Sequence, residues 1–100
     1  MAETKVKDDI ELDEELMMPS RYKVVLVNDN TTPVDFVIAL LMHVFKHTEE
    51  RAREITLEVH NEGAGVAGIF PYEIAEQKGV ESTMLARQNG WPLVIRVEEE

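Results

Sequence analysis

Tyr22-Lys23-Val24-Val25-Leu26-Val27-Asn28-Asp29-Asn30-Thr31-Thr32-Pro33 is the stretch of this 100-residue chain that says most about its fold. Its first six residues are rich in β-branched side chains, which predicts a strand, and Asn28-Asp29-Asn30 ends that strand with turn chemistry. Thr32 suits a helix N-cap, Pro33 the first helical position and Asp35 the third place of a capping box. A helix is therefore expected to follow, running to about Lys46. That helix is unusual. From Val34 to Met42 only Asp35 is polar, whereas a helix on the surface of a small domain carries a single apolar stripe. Such domains rarely bury a helix on every side, so an apolar patch is expected to stay open near its N-terminal end, beside the Asn28–Pro33 loop.

Outward from this stretch, His47-Thr48 breaks the first helix and Thr48 starts a second, with Ala52, Ile55 and Val59 as its apolar stripe and Asn61-Glu62-Gly63 as its stop. Val66–Phe70 reads as a second strand. Pro71 opens a third helix that contains Gly79 and ends at Asn89-Gly90. Pro92 precedes a last strand, Leu93–Val97. The order β-α-α-β-α-β predicts an α+β domain of two layers, a three-stranded antiparallel sheet with three helices on one side.

Charge divides the chain. Twenty Asp and Glu against ten Lys and Arg give a net −10, which argues against nucleic acid and against an anionic membrane surface as partner. Residues 1–18 hold seven acids and two lysines, and Glu98-Glu99-Glu100 adds three acids. Residues 20–97 keep ten acids and eight bases, a net of −2. We expect a disordered acidic extension at 1–19, with Leu16-Met17-Met18 as a short docking patch, a folded domain at 20–97 and an acidic tip at 98–100. There are no cysteines, so disulfides, thiolate metal sites and a Cys nucleophile are excluded. No signal-type apolar segment and no membrane span is read, so a cytoplasmic protein is expected.

The inventory for catalysis is thin. Ser20 and Ser82 lack a nucleophile context, and Gly63-Ala64-Gly65 precedes a strand where a phosphate loop precedes a helix. His43 and His47 stand at i,i+4, a metal-ligand spacing, but only Glu50, across a helix break, offers a third ligand. His60 and Asn61 suit a helix end. The Asn28–Pro33 loop places carboxylate and carboxamide acceptors beside an apolar opening, which fits a ligand with a cationic head and an apolar body; the same residues also make an ordinary turn. A binding module is expected, not an enzyme, with neither cofactor nor metal.

Tyr22–Asp29 followed by Thr32-Pro33 and Phe36-Val37, then Glu58-Val59-His60 with Gly63, Gly68-Ile69-Phe70, Glu73-Ile74-Ala75-Glu76 with Lys78, and Pro92-Leu93, resemble the signature of the ClpS adaptors over roughly residues 20–97. The resemblance implies a fold like the C-terminal domain of the bacterial ribosomal stalk protein. It implies a function too: a monomeric adaptor that binds proteins with N-terminal Leu, Phe, Tyr or Trp and delivers them to the ClpA or ClpC AAA+ unfoldase of the ClpP protease. By the same resemblance Asn28, Asp29 and His60 surround the substrate's α-amine, and Asn30 and Thr32 touch its first peptide unit. Val34, Val37, Thr56, Val59 and Leu93 line the side-chain hole. Glu73 and Lys78 face the unfoldase, and the N-terminal extension is engaged by it during handover. His60 must then be neutral toward the ammonium, so binding should weaken as it protonates.

Three positions depart from the family's usual pattern. Val34 stands where a Met often gates the pocket, Thr56 where an apolar residue is usual, and Asn30 replaces an Asp. A shorter Val34 widens the hole beside the substrate's β-carbon and so opens it to Ile, while a hydroxyl at Thr56 favours polar-tipped Tyr or Trp. The alternative from another class is a stalk-like interaction scaffold that does not read N-termini.

Overall fold

The computed structural model describes residues 20–100. The extension expected at 1–19 lies outside the described residues. The elements are β1 (Arg21–Val27), α1 (Val34–His43), α2 (Glu49–Glu62), β2 (Ala64–Pro71), α3 (Tyr72–Gln88) and β3 (Val94–Glu99), in the order expected. The sheet runs β2-β1-β3 with both pairings antiparallel, so the first strand is the central one. Val24 and Leu26 point from β1 into the core, where Leu41, Ile55, Ala67 and Leu93 join them, each no more than 1% exposed.

The start of α1 differs from expectation. Pro33 is the N-cap, and no side chain caps the helix. Thr32 turns its hydroxyl back to Asp29 Oδ2, 2.8 Å away, so the capping box expected from Thr32 and Asp35 does not form. The helix also ends earlier, at His43. Lys46 takes the left-handed conformation, φ 62°, and the His47 N–H returns to the Leu41 carbonyl at 3.2 Å. Phe45 is thereby carried into the core.

A β-bulge follows from the register. Val24 faces Gly68 and Val25 faces Val66, which leaves Ala67 without a partner on β1. Its carbonyl accepts from His47 Nε2 at 2.6 Å, so the ring carries a hydrogen on that nitrogen. Helix α2 starts as expected, with the Thr48 hydroxyl accepting from Arg51 N–H at 3.1 Å, and closes on the left-handed Gly63, φ 89°.

Helix α3 lays Ala75, Gly79, Ser82 and Ala86 against the sheet, a buried line of small side chains. A Cβ on Gly79 would meet Val97 Cγ2 at 3.0 Å, so the glycine inside this helix reflects how closely it approaches β3. Strand β3 runs past Val97: Glu98 pairs with Lys23 and Glu99 with Tyr22. Arg21 then holds Glu100 through two hydrogen bonds of 2.8 and 3.0 Å. The expected acidic tip at 98–100 is therefore no separate tip. Antiparallel pairing with β1 draws it into the sheet.

Candidate functional site

The loop after β1 is shaped by one carboxylate. Asp29 Oδ1 accepts from the Thr31 and Thr32 backbone N–H groups, at 2.8 and 2.7 Å, and Oδ2 takes the Thr32 hydroxyl. Partial burial pushes the Asp29 carboxyl up. The hydrogen bonds from Thr32 and Thr31 and the charge of Arg87 together outweigh it and hold the group below its ordinary value. Asn28 N–H donates to the Gly63 carbonyl at 2.9 Å, so the loop is fastened to the end of α2, one turn from His60. The α3–β3 connection is fixed from the same side. Arg87 Nη1 donates to the Trp91 and Leu93 carbonyls at 2.9 and 2.8 Å.

Between this loop, the start of α1 and the last turns of α2 lies a cavity of about 200 Å³. Asn28, Asp29, Asn30, Thr32 and His60 form its polar side, and Val34, Val37, Thr56 and Val59 its apolar side. Nine of the ten residues named from sequence for the amine and the side chain thus surround one space. The tenth does not. Leu93 is 1% exposed and packs in the core cluster, while its carbonyl accepts from Arg87.

Thr56 has its hydrogen already engaged. Its hydroxyl donates to the Ala52 carbonyl of its own helix at 2.7 Å, so toward a polar-tipped ligand the oxygen can act only as an acceptor. The open apolar patch expected near the start of α1 is there: Val34 is 56% exposed at the mouth of the cavity.

Glu73 and Lys78, expected to face the unfoldase, both stand on α3 but in different surroundings. Glu73 is exposed in the first turn of α3 and lines a separate groove with His43, Val80 and Met84. Lys78 is half-buried. Its Nζ donates to the Val44 carbonyl at 2.8 Å and lies over the Phe45 and Phe70 rings, so its charge ties α3 to the end of α1. The His43–His47 pair also dissolves. The helix stops between the two rings and His47 serves the Ala67 bulge. Among the described residues no three His, Cys, Asp or Glu side chains gather to hold a metal, and no helix is long and apolar enough to cross a membrane.

Sequence reasoning missed Arg87 and the His47–Ala67 contact. A basic residue in a last helical turn is common, and nothing local announced what either side chain would reach.

Fold and cavity together define a small binding module of the adaptor kind. The profile of the family "ATP-dependent Clp protease adaptor protein ClpS" matches residues 17–96, and the chain belongs to that family, whose members are adaptors without catalytic activity of their own. Two curated relatives, each called ATP-dependent Clp protease adapter protein ClpS, are 48% identical to it. The one from Bdellovibrio bacteriovorus aligns over 91% of this chain and 80% of its own length. The one from Shewanella pealeana aligns over 88% and 86%. Among solved structures, Agrobacterium tumefaciens ClpS2 bound to L-phenylalaninamide superposes with a TM-score of 0.80 at 38% identity, covering 82% of this chain and 99% of that one.

Proposed function

We propose that this adaptor captures proteins through a free, bulky hydrophobic N-terminal residue and hands them to a ClpA- or ClpC-type unfoldase. The observation that carries the reading is the two-sided cavity. Oxygen- and nitrogen-bearing side chains line one side and aliphatic side chains the other, within about 200 Å³. An engineered apolar cavity of about 150 Å³ takes up benzene, so a Leu or Phe side chain fits the space.

In this reading the α-ammonium sits among the Asn28 carboxamide, the Asp29 charge and the His60 ring. Asp29 acts chiefly by charge, since its oxygens already hold Thr31 and Thr32. Charge-assisted hydrogen bonds are the stronger kind, and burying the side chain adds roughly 1.5–3 kcal/mol. Asn30 and Thr32 lie where the first peptide unit leaves. Leu, Phe, Tyr and Trp are the expected first residues, and the short Val34 admits Ile. Glu73 and Lys78 belong to an unfoldase-facing surface on α3, with Glu73 supplying its outward charge, and residues 1–18 serve in handover. The ligand agrees in kind with that of the Agrobacterium protein, whose bound L-phenylalaninamide has a free amine and an aromatic side chain.

Fluorescence anisotropy with a Phe-initiated peptide, free and N-acetylated, tests the reading. Acetylation should abolish measurable binding, and Asn28→Ala and His60→Ala should each weaken the free peptide by about 1–3 kcal/mol. Equal binding of the two peptides would remove the amine from the account.

A further inference from the structure

A second cleft of about 200 Å³ adjoins the first, lined by Val34, Ile38, Arg53, Thr56, Leu57 and His60. Val34, Thr56 and His60 belong to both spaces. The two are therefore lobes of one surface, divided by the thickness of single side chains, and two of the dividing side chains are short. Leu57 is 59% exposed on the outer lobe and touches only that lobe. It stands on one face of α2 with Arg53 and His60, at the i,i+4 and i,i+3 spacings that make helical neighbours.

We propose that this outer lobe receives the side chain of the substrate's second residue and selects an apolar one there; this rests on the N-terminal reading above. A chain held by its amine in the inner lobe, with its first peptide unit against Asn30 and Thr32, brings its second side chain beside Val34, which both lobes share. Successive Cα atoms are 3.80 Å apart across a trans peptide, so the residue that reaches a neighbouring lobe one side chain away is the next one. Later residues are carried off the surface toward the body of the substrate. The chemistry selected follows from the lining. Ile38, Leu57 and Val34 offer aliphatic surface. The guanidinium of Arg53 is engaged by Glu49 through hydrogen bonds of 3.0 and 2.8 Å, so the rim presents a balanced ion pair and not a free cation seeking a carboxylate. The Thr56 hydroxyl is turned to Ala52 and offers no donor.

The test uses three fluorescent peptides beginning Phe-Leu-Ser, Phe-Ser-Leu and Phe-Ser-Ser, with identical remainders, against the full chain and its Leu57→Ser variant. Leu at position two should tighten binding about fivefold over Ser, the return of partly burying one aliphatic side chain. Leu at position three should give less than about twofold. Leu57→Ser, an exposed change that spares the core, should leave Phe-Ser-Ser unaltered and erase most of the gain of Phe-Leu-Ser. A gain at position three, or one that survives Leu57→Ser, overturns the subsite while leaving the N-terminal reading intact. Failure of all three peptides to bind overturns both.

Discussion

Asp29 does two jobs that can be separated. Its oxygens hold the loop and its charge faces the cavity. Asp29→Asn keeps an acceptor for the Thr31 and Thr32 N–H groups but removes the charge, so Phe-peptide affinity should fall by up to about 1 kcal/mol with the loop still formed. Asp29→Ala should also destabilise the fold by about 1 kcal/mol, because those N–H groups lose their partner. The pH sign follows from the lowered carboxyl. Its stabilising contribution is fully present above the unfolded carboxyl's range and is lost as pH falls through the lower folded value. Urea midpoints of wild type and Asp29→Asn should therefore differ at neutral pH and converge in acid. Val34 is the other deciding residue. Val34→Met should reduce Ile-peptide binding more than Leu-peptide binding, since longer side chains at the mouth clash first with a branched β-carbon. A one-methylene difference in such a pocket is worth roughly 1–3 kcal/mol, and an unchanged Ile-to-Leu ratio removes Val34 from the gate.

Among the elements, α2 supplies the wall and β2 decides where it stands. A Cβ on Gly65 would come within 2.8 Å of Val59 Cγ2, and Val59 is a cavity residue whose β-branched side chain has little rotamer freedom. Gly65→Ala should cost about 1–3 kcal/mol by overpacking and weaken peptide binding as α2 is pushed outward, measurable by urea unfolding and by anisotropy on one sample. His47→Ala should leave the bulged Ala67 carbonyl unpaired and cost about 1–3 kcal/mol, with peptide affinity unchanged because the bulge lies away from the cavity lining. The six elements were legible because their signals are local: the β-branched run at 22–27, the Thr48 cap, the glycine stop at 63. The element ends that escaped depend on distant partners. Thr32 reads as a cap until Asp29 claims its hydroxyl, and His47 reads as a helical neighbour of His43 until a strand bulge claims its ring. Most of the site came from resemblance, not from spacing, since the loop residues alone fit an ordinary turn. Leu93 is buried in the core and absent from the cavity lining, and a Pro-Leu motif does not say which way its side chain faces.

For the molecule as a whole, every residue of both lobes falls between Asn28 and His60, while the groove beside Glu73 lies on α3. If the proposed capture and handover use these separate surfaces, the two should fail independently. Removing residues 1–18 should leave unfolding and Phe-peptide affinity unchanged, because the described core is built from residues 24–93 and the described cavity from residues 28–60, while degradation of a Phe-initiated reporter by the Clp protease slows markedly. Equal degradation rates with and without the segment would reduce it to a solubilising tail.

The central strand is paired on one side by the last element of the fold, with Tyr22 and Glu99 77 positions apart. That pairing sets a schedule. A ribosome adds about 5–20 residues per second, so the Asn28 loop leaves the exit tunnel seconds before the strand that completes its sheet. Until residues 94–99 are made, β1 has one open edge and Arg87 has not yet found the Leu93 carbonyl. A chain made only as far as Leu93 holds every residue of both lobes on a sheet still missing its last strand, and we expect it to bind a Phe-initiated peptide well only after that strand closes on the first.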